Sequence, residues 1–331
     1  MYCLELAGDD DAFAACEARS AASAVERAAP GVATARGIDA DRVQTLAYTH
    51  AASELVARTD AEVGAAEAAL QAVTIDRTGS VAVRARDVRS TTGCSTQTTE
   101  RRLGAVLVDR GFSVDLDDPD HELRVLFSAG EADGERQDRC FIGWLAAESE
   151  RNFGERRPTD RPFFQPGSMA PLDARALVNI AGAGPDTRVV DPMCGTGGLL
   201  LEAGLVGSDV IGVDAQWKMT RGSRENLDAL LDEGGEIIHG DATALPLSDG
   251  VADAVVFDAP YGRQSKIARH ELADLVGGAL AETRRIADRA VVVADRSWET
   301  EAREAGWAVD RRFERRVHGT LVRHVHVLSG E

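Results

Sequence analysis

From residue 188 onward, short apolar runs alternate with stretches of helical spacing, and that beat is compatible with few folds. Arg188-Val-Val-Asp191, Val210-Ile-Gly-Val-Asp214, Glu236-Ile-Ile-His239, Ala254-Val-Val-Phe257 and Ala290-Val-Val-Val-Ala294 read as strands, and residues 216–231 and 271–286 as helices between them. Such alternation predicts a mostly parallel sheet covered on both faces, with ligands bound beyond the carboxyl ends of its strands. Asp191, Asp214, Asp241 and Asp258 fall at those ends. One aspartate there would be an ordinary solvated loop residue; four in register line a pocket. Residues 307–312 and 320–328 then read as two antiparallel strands joined by a turn near Gly319, a hairpin at the sheet edge. The fold class is α/β, Rossmann-like, with a seven-stranded sheet.

The run Asp191-Pro-Met-Cys-Gly-Thr-Gly-Gly198 sits where the first strand meets a helix. Small residues there let backbone N–H groups and a helix N-terminus approach a ligand closely. A dinucleotide fingerprint needs a third glycine for tight helix packing; Gly195 and Gly197 fit that spacing, but Leu200 fills the third place. Asp214, about twenty residues on, stands at the usual distance for a carboxylate that accepts from ribose hydroxyls. Asp258-Ala-Pro-Tyr261 adds a carboxylate, a proline-stiffened carbonyl and an aromatic ring at another strand end. A pocket for a nucleotide-like cofactor thus lies beside one for a planar, nitrogen-bearing acceptor, which points to methyl transfer from S-adenosylmethionine to an exocyclic amine of a nucleobase.

Residues 191–204, Gly212-Val-Asp214 with Asn226-Leu227, Gly240-Asp241-Ala242 and Asp258-Ala-Pro-Tyr-Gly262 resemble the motifs of the THUMP-containing RNA guanine-N2 methyltransferases, as does Arg161-Pro-Phe-Phe-Gln-Pro-Gly-Ser-Met-Ala-Pro171 with Ala174-Arg-Ala-Leu-Val178. The resemblance implies that Asp191, Pro192, Cys194, Gly195, Thr196, Gly197, Asp214, Asp241, Ala242 and Asp258 hold S-adenosylmethionine, with Asp241 at the adenine amine. It implies that Asp258, Ala259, Pro260 and Tyr261 hold the target base, a guanosine of tRNA at position 10, mono- or dimethylated. The family's motif has two prolines between acid and aromatic; Ala259 replaces the first, at a cost in pre-organisation of about 0.4 to 1 kcal/mol. Pro260 still biases Ala259 toward extended backbone. Because adenine enzymes share the theme, ribosomal RNA guanine or adenine N6 stands as the alternative acceptor. A non-catalytic RNA-binding protein is a third, disfavoured by the intact set of acids and glycines.

Before residue 151 the pattern is α+β: a strand over residues 1–6, a helix over 11–28, a strand and helix start within 40–57, a strand over 80–86, a helix over 98–110, and strands at 112–116, 123–127 and 140–144. With Gly111-Phe-Ser-Val-Asp-Leu-Asp-Asp-Pro-Asp-His121, it resembles a THUMP domain preceded by a ferredoxin-like unit. The expected division is 1–55 ferredoxin-like, 56–147 THUMP-like, 148–170 a polar linker, and 171–331 the methyltransferase domain.

In dilute salt a net charge of −18 opposes an RNA substrate. Lys218 and Lys266 are the only lysines, however, and acid excess with so little lysine resembles a haloarchaeal proteome. At about 1 M salt the Debye length is about 3 Å, so long-range repulsion fades. Arg84 and Arg86, Arg101 and Arg102, and Arg156 and Arg157 are the arginines expected to reach phosphate, since the guanidinium fork suits it. Cys3, Cys16, Cys94, Cys140 and Cys194 are odd in number and scattered, which argues against a zinc site or disulfide frame and for a reducing interior. His324 and His326 share a strand face and read as exposed edge residues. With no apolar run of membrane length and no basic leader, the expectation is a soluble, cytoplasmic, metal-free protein partnered by tRNA; whether a second subunit is needed stays open.

Overall fold

The computed structural model describes residues 1–261, 269–318 and 321–330, so Gly262, the expected turn at Gly319 and the first residue of the last expected strand, Thr320, lie outside the described residues. Chain contacts separate two compact units, Met1–Glu150 and Arg151–Glu331.

The first unit runs β1 (Tyr2–Leu6), α1 (Asp11–Ala18), β2 (Ala22–Ser23), β3 (Glu26–Ala29), β4 (Val32–Ala35), β5 (Gly37–Ile38), α2 (Ala40–Gln44), β6 (Thr49–Asp60), α3 (Val63–Ala72), β7 (Ser80–Asp87), α4 (Thr96–Val108), β8 (Ser113–Val114), β9 (His121–Ala132) and β10 (Glu135–Glu148). Eight of its strands form one sheet in the order β3-β4-β1-β6-β10-β9-β7-β8. The helix expected over 11–28 stops at Ala18, and the alanine-rich remainder forms strands. Pro30 and Gly31, the latter at φ +71°, turn the chain so that β3 pairs with β4, and sheet pairing overrides the helix preference of alanine. The expected boundary at 55/56 lies inside β6, which pairs with β1 on one side and β10 on the other. Two buried clusters, one around Leu103, Phe127 and Ile142 and one around Val32 and Phe141, hold this unit.

The second unit runs α5 (Pro171–Ala181), β11 (Arg188–Asp191), α6 (Gly198–Leu205), β12 (Asp209–Asp214), α7 (Trp217–Leu230), β13 (Glu236–His239), β14 (Ala254–Asp258), α8 (Arg269–Ile286), β15 (Arg289–Ala294), α9 (Glu299–Glu304), β16 (Trp307–His318) and β17 (Leu321–Gly330). Its sheet has the order β13-β12-β11-β14-β15-β17-β16, the first five strands parallel and β17 antiparallel to both its neighbours, β15 and β16. Buried on both faces, these strands read as continuous apolar runs; Val190, Val255, Phe257 and Val292 are among the residues that fill the core. The chain winds outward from β11 to β13, then returns to β14 on the other side of β11. That reversal leaves a crevice beyond the carboxyl ends of β11 and β14, the expected ligand position in an open α/β sheet, and those ends carry Asp191 and Asp258. The expected hairpin forms, but its second strand is not at the edge: β17 inserts between β15 and β16. His326 is accordingly 1% exposed and accepts from the Trp298 N–H, which corrects its assignment as an exposed edge residue. No helix among the described residues is long and apolar enough to cross a membrane.

Candidate active site

The loop after β11 is shaped by its glycines and tied to β12. Gly197, at φ +76°, caps α6, and a Cβ there would also stand 2.4 Å from Ser223 Oγ, so both conformation and space require glycine. Cys194 N–H donates to the Val213 carbonyl, which holds the loop against β12. Asp214 accepts from Gly195 N–H at 3.0 Å through Oδ2 and from Gln216 N–H at 2.8 Å through Oδ1. Each oxygen retains acceptor capacity for a ribose hydroxyl. Asp191 is 1% exposed and accepts from Met193 N–H; burial, with Asp214 and Asp258 nearby, holds its carboxyl well above the usual range. Burial likewise raises the Cys194 thiol, which fits a space-filling role over a nucleophilic one. Asp241 uses Oδ1 to accept from the N–H and hydroxyl of Thr243, and the next residue, Ala242, is buried.

Asp258 ends β14 facing the same crevice. Its Oδ1 is buried without a hydrogen-bond partner among the described residues. Burial pushes its carboxyl up to about 6; Arg323 and a hydrogen bond with Tyr261 draw it back, and Asp295 adds to the rise. Ala259 is buried and donates its N–H to the Val293 carbonyl of β15 at 2.8 Å. A proline could not make that bond, so the departure from the two-proline pattern exchanges ring stiffness for a sheet hydrogen bond. The Tyr261 hydroxyl takes a 3.0 Å bond from Arg323 Nε as well as meeting Asp258, so the side chain is tethered at its hydroxyl end.

Arg323 was not singled out by the sequence. It sits on β17, buried, with Nη1 3.5 Å from Asp173 Oδ2 of α5, while Arg315 Nη2 reaches Asp173 Oδ1 at 3.2 Å. The inserted position of β17 brings this arginine to the end of β14, a placement that only the strand order reveals.

The segment 161–170, expected within a linker, lies against the glycine loop. Asn226 of α7, fully buried, accepts from Phe163 N–H and donates to the Phe163 and Thr196 carbonyls, each at 2.9 Å. Ser168 Oγ meets Thr196 Oγ1 at 3.1 Å. Phe163 packs on Gly222, where a Cβ would stand 2.0 Å from its ring. One cleft is lined by this segment at Gln165, Gly167 and Ser168, by the glycine loop at Met193, Gly195 and Thr196, and by Met219, Asp191 and Asp258. Backbone donors, the thioethers of Met169, Met193 and Met219 and an orphaned carboxylate oxygen therefore meet in one cleft, with Asp214 bonded to its glycine loop through Gly195 N–H, and these residues fit S-adenosylmethionine.

The six arginines expected at phosphate divide. Arg101 and Arg157 are exposed. Arg86 pairs with Glu5, Arg102 with Glu67, and Arg84 lies 3.7 Å from Glu122, each guanidinium still partly open to solvent. Arg156 is the correction: 7% exposed, it bonds Glu202 through Nε and Nη2 and Asn152 through Nη1, so it holds the fold and has no face for a phosphate. Among the described residues no group of three or more His, Cys, Asp and Glu side chains could hold a metal ion.

Residues 158–324 match UPF0020, the RMKL-like methyltransferase domain. The chain is 36% identical over 242 residues to the tRNA (guanine(10)-N2)-dimethyltransferase of Methanothermobacter thermautotrophicus, covering 70% of this chain and 68% of that protein. It is 28% identical to the protein of the same name from Pyrococcus abyssi, covering 76% and 74%. In fold it is similar to TrmN from Thermus thermophilus, with a TM-score of 0.51 at 23% identity over 100% of this chain and 99% of that one.

Proposed function

The chain belongs to the RMKL-like methyltransferase family and is S-adenosylmethionine-dependent, and from that premise we propose that it methylates the exocyclic N2 of a guanosine in tRNA, at position 10. The observation that carries the acceptor assignment is the orphaned Oδ1 of Asp258, in one cleft with the glycine loop. A buried acceptor of that kind fits an N–H donor, and the guanine amine offers two.

The roles follow from the chemistry. S-adenosylmethionine supplies an electrophilic methyl group. The guanine N2 lone pair is delocalised into its ring, so the amine must be held in line and its protons drawn off toward oxygen. Asp258 Oδ1 accepts one; the carbonyl of Ala259 or Pro260 accepts the other. Positioning of this kind is worth about 7 to 11 kcal/mol, and a base typically adds about 10² to 10⁴ in rate. Asp258 is therefore first an acceptor and second a base. Tyr261, tethered by Arg323, offers its ring to a base taken out of its stack. The Asp214 carboxylate takes the ribose hydroxyls, Asp241 the adenine amine, and the backbone of Gly195 to Gly197 the remainder of the cofactor. Residues 1–147, read as ferredoxin-like and THUMP-like, grip the RNA by shape and phosphate in the cytoplasm, with Arg84, Arg86, Arg101, Arg102 and Arg157 as contacts. The charge balance fits work at high salt, where an acidic surface ceases to repel RNA at distance.

The test is methylation of an unmodified tRNA transcript by the purified protein at about 1 M salt, followed by nucleoside mass spectrometry. Methylated guanosine that disappears when position 10 is changed to adenosine supports the reading. Methyladenosine, or methylation at another guanosine, would replace it.

A further inference from the structure

The last two strands concentrate positive charge in a chain that is otherwise acidic. Residues 311–324 hold five arginines and a single acid, Glu314, against 55 acids and 37 lysines and arginines in the whole chain. β16 is the edge strand of its sheet, and Arg311, Arg312 and Arg316 on it are exposed. Arg312 reaches Glu299 at 3.2 Å, while the Arg311 and Arg316 side chains form no ion pair or hydrogen bond among the described residues.

Strand register places this charge on the acceptor side of the sheet. Asp258 is level with Val293 of β15, and β15 ends one residue later at Ala294, opposite His324 of β17. Beyond that end β16 and β17 continue as a two-stranded ribbon, through the pairs Arg315–Arg323 and Arg316–Val322. Side chains alternate across a strand, so Arg315 and Arg323 share one face of the ribbon and Arg312 and Arg316 the other. The first two are tied inward: Asp173 of α5 meets both, and Arg323 holds the Tyr261 hydroxyl. The other two are open to solvent. Charge of either sign would protect an edge strand from pairing with another chain, and acid is this chain's ordinary surface charge. Arginine in its place fits an anionic partner. The guanidinium fork takes phosphate oxygens by two parallel bonds, and such direct contacts outlast long-range attraction when salt is high.

We propose that the β16–β17 ribbon is an RNA-binding arm of the catalytic unit, in which Arg312 and Arg316 take backbone phosphates of the strand that bears the target guanosine, an assignment that rests on the tRNA reading above. The arm adds a contact beside the target itself to the grip assigned to residues 1–147, and Arg323 anchors it to Tyr261.

The test uses the full chain and an unmodified tRNA transcript, with binding followed by fluorescence anisotropy over a salt series spanning about 1 M. The double variant Arg312→Gln/Arg316→Gln should bind about tenfold more weakly, and its slope of log affinity against log salt should fall by about 1.4 to 1.8, since each lost phosphate contact removes about 0.7 to 0.9. Arg312→Lys/Arg316→Lys keeps the charge and should keep the slope. Arg188→Gln removes a partly exposed arginine from the opposite, amino end of β11 and should change neither quantity. Calorimetry with S-adenosylhomocysteine should give one affinity for all four proteins, which checks that the cleft is folded. Unchanged tRNA affinity and slope in the glutamine pair would overturn the arm, as would an equal loss in Arg188→Gln or a slope lost equally in the lysine pair. Aggregation of the glutamine pair with unchanged tRNA affinity would mean that the arginines only protect the edge. Wild-type protein that bound no tRNA would sink the tRNA reading itself, and the arm with it.

Discussion

Replacing Asp258 by asparagine should stabilise the protein while stopping methyl transfer. Burial lifts this carboxyl from an ordinary 3.8 to about 6, so the folded chain binds its proton more tightly than the unfolded chain does. By linkage, the stability this group contributes is fully present below pH 3.8 and is lost as the pH rises through about 6. At pH 8 its ionised form therefore costs roughly 3 kcal/mol, at 1.36 kcal/mol per pH unit. Asparagine keeps the shape, accepts from the Tyr261 hydroxyl through its carbonyl oxygen, and removes the charge. Its amide must find an acceptor, and an unsatisfied one gives back about 1 to 3 kcal/mol. The net gain at pH 8 is on the order of 0 to 2 kcal/mol, or up to about 8 °C in Tm for a domain of this size. Calorimetric melts of both proteins at pH 8 and pH 4, in the same salt, read it directly: the variant should melt higher at pH 8, and its advantage should shrink at pH 4, where the wild-type carboxyl is protonated. A variant less stable than wild type at pH 8, or an advantage equal at both pH values, would refute the argument that Asp258 is held ionised at a cost to the fold. The same variant should bind S-adenosylhomocysteine and tRNA almost as wild type does, with turnover abolished.

The ionised carboxylate is the acting form, so wild-type turnover should rise through about pH 6 and level off above it. Arg323→Gln removes the leading influence that draws Asp258 down while leaving Asp191 and Asp295 in place, so the rise should move to higher pH; an unmoved profile would remove Arg323 from the positioning of Asp258. Asp214→Ala should weaken S-adenosylmethionine by about tenfold or more, the loss of a charge-assisted contact, and unchanged affinity by calorimetry would end its ribose role. Removing residues 1–150 should spare cofactor binding, because the second unit has its own core, yet eliminate methylation of folded tRNA; a truncated chain that still chose the same guanosine would place selection in the catalytic unit.

The catalytic half was legible because its signals are local. A strand buried on both faces must be apolar throughout, and a turn that meets a ligand must be small, so Arg188–Asp191 and Glu236–His239 were readable to the residue. The first half depends on pairing between distant segments. Alanine suits a helix in isolation and a buried strand in a sheet, and the Pro30-Gly31 turn decided between them over 22–29. Strand order is likewise invisible to periodicity: 320–328 was readable as a strand, but only its insertion beside β15 buries His326 and delivers Arg323 to Tyr261.

Arg156 was misjudged for a related reason, and here the sequence did hold a clue. Leu199-Leu-Leu-Glu-Ala203 sets an acid in the most apolar stretch of α6, with no basic residue in that helix to answer it. A carboxylate in such a run must reach water or be paired, and the helix packs its buried face with Glu202 fully enclosed. A cation from elsewhere in the chain was therefore required. Arginines just ahead of the domain, in a stretch that looked like solvated linker, were the nearest supply. Two of the pairings answer Glu202, through Arg156 and Arg175. Arg161, whose Nε donates to the Arg156 carbonyl, braces the same ion pair from the segment ahead of α5, so a stretch that reads as solvated linker is part of the fold of the catalytic unit.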